Sequence, residues 1–144
     1  EHARKMDKVN YIGYKPNLEI IEAMQSTHVF AYPCIWEETS CISAIEAMAA
    51  GNIPLVTNFG ALPETCGDYE YYVNYDTNPK RLAEEYAAHL LYIKKILPTD
   101  DIQQRLENQR QHFNHFYNWD ERIKEWIAFL NNALEAKGIS HGNE

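Results

Sequence analysis

The chain has 144 residues, 45% of them hydrophobic and 24% charged, with a formal net charge of −8. One domain of this size buries roughly two thirds of its unfolded surface, and the acidic balance without Lys or Arg runs argues against nucleic acid and anionic lipid as partners of this segment. No apolar stretch approaches the ~20 residues of a membrane span, the charged N-terminus is no signal peptide, and Cys34, Cys41 and Cys66 lack the spacing of disulfides or a zinc site, which sets a reduced cytosolic default.

Residues 1–8 (EHARKMDK) read as a lead-in from a missing upstream portion. Val9 to Gly13 predicts a short buried strand, and Asn17 to Thr27 a helix with Leu18, Ile21 and Met24 on its inner face. His28 to Tyr32 is the next strand. A helix then runs from near Cys41 to a stop at Gly51 and Pro54, because Gly accepts the left-handed C′ conformation and Pro cannot continue the ladder; Thr39 and Ser40 are its candidate N-caps. Ile53 to Thr57 is a strand, FGALPETCGD a loop, and Tyr71 to Asn74 a final short strand. Strands alternating with short helices imply right-handed crossovers and a parallel sheet covered on both faces. Ligands of such sheets sit beyond the carboxyl ends of the strands, where Tyr14, Glu38 and Gly60 fall.

The remainder is helical. Asn78 caps and Pro79 opens a helix with Leu82, Tyr86, Leu90, Ile93 and Leu97 in one stripe, ended by Pro98. A second helix, from about Asp101 to Phe116, places Ile102, Leu106, Phe113 and Phe116 inward, and a third opens at Trp119 and Asp120 with Ile123, Ile127, Leu130 and Leu134 at helical spacing. The cluster FNHFYNW reads as helix-packing core, since helical stripes flank it and basic neighbours do not. The body of the domain is residues 9–137, and 138–144 read as a disordered tail.

The run EETSCISAIEAMAAG, Glu37 to Gly51, organises the rest, with Glu38 and Glu46 eight positions apart. Its helix is apolar on nearly every face except at Glu46. A carboxylate there costs several kcal/mol unless satisfied, so it has a fixed partner such as Lys or Arg, or it faces a ligand. Free amides at Ser40 to Ile42 suit phosphate. Carboxylates on either side suit sugar hydroxyls, and the combination describes a nucleotide sugar. Glu37 lies in the same loop, but the spacing favours Glu38.

HVFAYPCIWEETSCISAIEAMAAGNIPLVTNFGALPE resembles the donor-binding segment of the retaining GT-B glycosyltransferases of family four: strand, Pro33, E-x7-E, A-x-G, strand, then Gly60-Ala61-Leu62-Pro63-Glu64. The resemblance spans about residues 9–130 and implies an α/β fold: a Rossmann-like parallel sheet with flanking helices, part of the C-terminal domain of a GT-B fold, followed by C-terminal helices. It assigns the donor sugar hydroxyls to Glu38, the catalytic candidate, and the ribose to Glu46. Thr39, Ser40, Cys41 and Ile42 would meet the diphosphate, and Tyr14 and Lys15 the nucleobase. Where the family often has E-G-F-G, this loop has Glu38-Thr39-Ser40-Cys41, whose hydroxyls can donate to phosphate. Trp119, Asp120 and Trp126 match an end helix that often crosses back toward the N-terminal domain.

The same resemblance implies no cofactor and no obligatory metal, a nucleotide-diphosphate sugar as substrate, and a glycan, lipid-linked or protein acceptor. Two upstream strands, their phosphate-neutralising Arg and Lys, and the N-terminal domain have no counterpart here. The chain is therefore expected to be an inactive portion of a longer cytoplasmic enzyme, one that could sit at the inner face of the membrane when full length. Its truncated sheet is expected to associate. A nucleotide-sugar-binding or assembly module without catalysis, and a GT-B-fold sugar-nucleotide epimerase or phosphorylase, are the rival readings. His112 and His115 lack a third metal ligand within a turn, and Glu64 is assigned a capping role.

Overall fold

A computed structural model describes residues 3–69 and 71–138. Three strands, β1 (Val29–Tyr32), β2 (Ile53–Thr57) and β3 (Tyr71–Val73), pair in parallel in the order β1-β2-β3. The register sets Val29 opposite Ile53 and Leu55 opposite Tyr71. Helix α1 (Asn17–Gln25) precedes β1, α2 (Ile42–Ala50) makes the crossover to β2, and α3 (Leu62–Cys66) leads toward β3. The helices α4 (Pro79–Ile96), α5 (Asp100–Phe116) and α6 (Trp119–Ala136) follow. This is the expected α/β architecture, a Rossmann-like parallel sheet with flanking helices.

All five residues of β2 are buried, as in a central parallel strand covered on both faces. Ile53 and Leu55 pack with Val73 and with Leu82, Tyr86 and Ile93 of α4. Val56 packs on the other side with Ala44 and Met48 of α2, Leu62 and Cys66 of α3, and Phe113 of α5. Met48 is fully enclosed, a burial that stabilises the fold by about 1.5–3 kcal/mol.

Buried amides tie the helices to the C-terminal end of α2. Gln109 donates to the carbonyls of Met48 at 3.1 Å and Asn52 at 2.9 Å, anchoring α5. Asn52 donates to the carbonyls of Met24 at 2.9 Å and Thr27 at 2.8 Å, anchoring the end of α1. Gly51 ends α2 at φ 95°, a left-handed conformation that requires glycine; the guanidinium of Arg110, which a Cβ there would meet, is the free end of a flexible side chain. Asn78 caps α4 by accepting from the amides of Lys80 and Arg81, with Pro79 in the first turn.

Several expectations are corrected. Val9 to Gly13 forms no strand; Val9, Tyr11 and Ile12 are exposed, because among the described residues no neighbouring strand offers them a ladder. Tyr14 therefore ends no strand. Leu18 is on the outside of α1, while Ile21 and Met24 are half-buried. The FGALPETCGD loop contains α3, since Pro63 is tolerated in a first helical turn and Gly67 at φ 59° closes it. Leu90 and Phe116 reach the surface, as do Ile123, Ile127 and Leu130 of α6, which has no buried residue. Of the aromatic cluster only Phe113 is core; Phe116, Tyr117 and Trp119 are exposed. Residues 139–144 of the expected tail lie outside the described residues.

Candidate functional site

The site candidates gather where the loop after β1 enters α2. Thr57, at the end of β2, donates from its hydroxyl to the Cys34 carbonyl at 2.7 Å, pinning the loop to the sheet. The Cys34 thiol donates to the Trp36 carbonyl at 3.2 Å, and the Trp36 amide donates back to the sulfur at 3.4 Å. Beyond that knot the chain passes Glu38 and reaches α2.

Two anchors fix Glu38. Its carbonyl accepts from the Ala61 amide at 2.9 Å, and Gly60, at φ 58°, lies against it so closely that a Cβ would come 2.8 Å from its nitrogen. Its side chain accepts from the Tyr32 hydroxyl at 2.7 Å. The Glu38 carboxylate in turn drives the Tyr32 pKa well above the usual phenol range, helped by Cys34 and by burial. Tyr32 is thereby kept protonated, and a donor. The Tyr32 backbone carbonyl accepts from the Tyr86 hydroxyl of α4 at 2.7 Å, so the strand end is itself held.

The N-terminus of α2 differs from expectation by one residue. Its N-cap is Cys41, with no side-chain cap, rather than Thr39 or Ser40, because the chain is still turning at those exposed positions. Among the described residues, no acceptor meets the backbone N–H groups from Thr39 to Ile42, while that of Ser43 turns toward the Cys41 sulfur. They form an open set of donors with the positive end of the helix dipole behind them. Cys41 is buried, and burial pushes its thiol pKa up while the amides of Ala44 and Ser43 pull the other way. The net rise favours the neutral thiol. Ile42, by contrast, is exposed at the first helical position.

Glu46 stands four residues into α2, about 6 Å along the axis at ~1.5 Å per residue. It is half-buried, and no Lys or Arg pairs with it among the described residues. Its partner is Asn17, whose side-chain amide donates to Oε1 at 2.9 Å. Glu38 and Glu46 thus bracket the free amides. Tyr14 is 97% exposed, and Lys15, ahead of α1, pairs with Glu19 of that helix at 2.9 Å; among the described residues no hydrogen bond or ion pair joins either residue to the two glutamates.

Sequence reasoning missed Tyr32, Asn17 and Thr57. Tyr32 and Thr57 read as ordinary strand residues, and Asn17 opens a helix where Asn is a common cap; no local signal links any of them to its partner. Glu64 lies in the first turn of α3, whose N-cap is Ala61. His112 stacks on Phe116, with ring centroids 5.7 Å apart. Among the described residues no three His, Cys, Asp or Glu side chains converge as metal ligands, all three cysteines are free and buried, and no helix is long and apolar enough to cross a membrane.

A parallel sheet covered on both faces, with unpaired amides opening a helix at the carboxyl end of its first strand, defines a Rossmann-like α/β domain. The family described as "Glycosyl transferases group 1" matches residues 1–97, more than half of the 144-residue chain. The chain belongs to the group 1 glycosyltransferases, and its general role is glycosyl transfer from a donor to an acceptor. No curated protein and no solved structure matches it significantly.

Proposed function

We propose that this chain is the donor-binding part of a retaining GT-B glycosyltransferase of family four, moving a sugar from a nucleotide-diphosphate sugar to a glycan, lipid-linked or protein acceptor. One observation carries the reading: Glu38 and Glu46 bracket the unpaired amides of Thr39 to Ile42 in a chain of this family. In this reading the protein is cytoplasmic and its N-terminal domain supplies the acceptor side.

The amides receive the diphosphate and stabilise the charge that develops on it as the glycosidic bond breaks. They supply that stabilisation without an obligatory metal. Thr39 and Ser40, exposed beside them, add hydroxyl donors. Glu38 accepts hydrogen bonds from the donor sugar and orients its ring, contributing position rather than covalent chemistry. Glu46 accepts from the ribose hydroxyls. Tyr14 and Lys15, just before α1, form the edge nearest the nucleobase.

Calorimetric titration of UDP, GDP and ADP into the full protein, with Glu46→Gln alongside, tests this. The expected outcome is micromolar binding of one nucleotide, about −8 kcal/mol, weakened roughly tenfold or more in the variant. Unchanged affinity in Glu46→Gln refutes its ribose role. No binding of any nucleotide refutes the donor site.

A further inference from the structure

We infer that Asn17 is a specificity-determining positioning residue: it fixes the Glu46 carboxylate so that its remaining acceptor sites meet the two vicinal hydroxyls of a ribose. The inference rests on the ribose role proposed above for Glu46.

Its ground is how the Asn17 side chain is used. Asn is among the best helix caps, yet here the N-cap is Pro16, the helix start has no side-chain cap bond, and Asn17 stands one residue inside α1. Its amide instead crosses 29 residues of sequence to donate to Glu46 Oε1 at 2.9 Å. The contact follows from the helix packing. Asn52 locks the far end of α1 beside the end of α2, so α1 runs along α2 in the same direction and its first turn arrives at Glu46.

The chemistry of the pair fits a hydroxyl ligand. A carboxylate has about four lone-pair sites, and the single Asn17 donor leaves most of them open. Among the described residues no second donor reaches Glu46. Asn is neutral, so it orients the carboxylate without competing as a guanidinium fork would. Lys15, the nearest cation in sequence, is held by Glu19 at 2.9 Å. The pair is also reachable, since Asn17 is exposed and Glu46 half-buried. A vicinal diol presents two donors to such a carboxylate, and a 2′-deoxyribose presents one.

The test compares dissociation constants of the nucleotide the full protein binds and of its 2′-deoxy analogue, for wild type, Asn17→Ala, Asn17→Ser, Asn17→Asp and Glu46→Gln. The wild type is expected to favour the ribonucleotide roughly tenfold, the ratio of one lost hydrogen bond. In Asn17→Ala and Asn17→Ser that ratio should fall to about threefold or less while the deoxy affinity holds, because a freed carboxylate loses its aim but not its neighbourhood. Asn17→Asp, which sets a like charge against Glu46, should abolish the preference. A merely structural Asn17 would weaken both nucleotides equally or neither, and either result overturns the inference. Discrimination that Glu46→Gln loses and every Asn17 variant keeps overturns the inference alone. Absence of discrimination in the wild type, or of any nucleotide binding, overturns the ribose reading as well.

Discussion

The Tyr32 hydroxyl donates to the Glu38 carboxylate at 2.7 Å, so the last residue of β1 holds the side chain that would meet the donor sugar. The loop between them carries no regular structure, and its precision comes from this bond and from the Gly60 and Ala61 backbone packed against Glu38. Tyr32→Phe removes the bond and little volume. Turnover of the full enzyme should fall roughly tenfold with nucleotide affinity retained, and stability by about 1–2 kcal/mol. Steady-state kinetics and urea denaturation check both, and unchanged turnover would show that Glu38 needs no such hold.

Glu38→Ala separates position from binding. Its carboxylate meets the sugar in the proposed site, whereas the diphosphate rests on backbone amides that the substitution leaves in place. The expected result is a loss of turnover of about 100-fold or more, with nucleotide dissociation constants within about threefold of wild type. Calorimetry and an initial-rate assay on the same preparation decide it.

Gly60→Ala combines two costs. The positive φ of 58° strains any L side chain, and the new Cβ would lie 2.8 Å from the Glu38 nitrogen and 2.9 Å from its carbonyl oxygen. Both contacts are backbone, so the loop must shift. A loss of about 1–3 kcal/mol is expected, together with reduced turnover. Substitution at Gly67, whose Cβ would touch nothing within 4 Å, carries the strain without the clash and is the matched control.

Acid should weaken the junction before α4. Asp76 accepts from Arg81 Nε at 2.6 Å and from the Asn78 amide at 2.7 Å, and Arg81 first, then Asn78, holds its carboxyl below the usual aspartate range. A carboxyl with a lowered folded-state pKa binds fewer protons folded than unfolded, so its contribution is present above the ordinary value of about 3.9 and is lost as pH falls below it. The gap in melting temperature between wild type and Asp76→Asn should therefore be open at neutral pH and close in acid, which a series of thermal melts will show.

The outer face of α6 predicts association. Ile123, Trp126, Ile127 and Leu130 are each more than half exposed and share one side of the helix. Light scattering should show a mass that rises with concentration, and Ile123→Ser with Trp126→Ser should reduce it. A monomer at all concentrations would count against this.

Much of the fold was legible because it is written in local patterns. The Ile53 to Thr57 run is apolar throughout since its strand is covered on both faces, and Asn78-Pro79 and Gly51 announce helix ends through backbone chemistry that needs no distant partner. The E-x7-E spacing likewise placed Glu38 before the helix and Glu46 within it. Failures came where an outcome depends on a neighbour. Val9 to Gly13 has a strand's composition but no adjacent ladder among the described residues, and the α6 stripe has helical spacing but no surface covering it.

The sequence by itself determined the order of β1, α2, β2 and β3 and of the three helices after them, and the two carboxylates around the start of α2. Only the tertiary structure decided what holds those carboxylates: Tyr32 on Glu38 and Asn17 on Glu46. The physical reason is range. Periodicity and capping act over a few residues of chain, whereas a side-chain hydrogen bond between α1 and α2 exists only once packing against the sheet has brought two distant turns together.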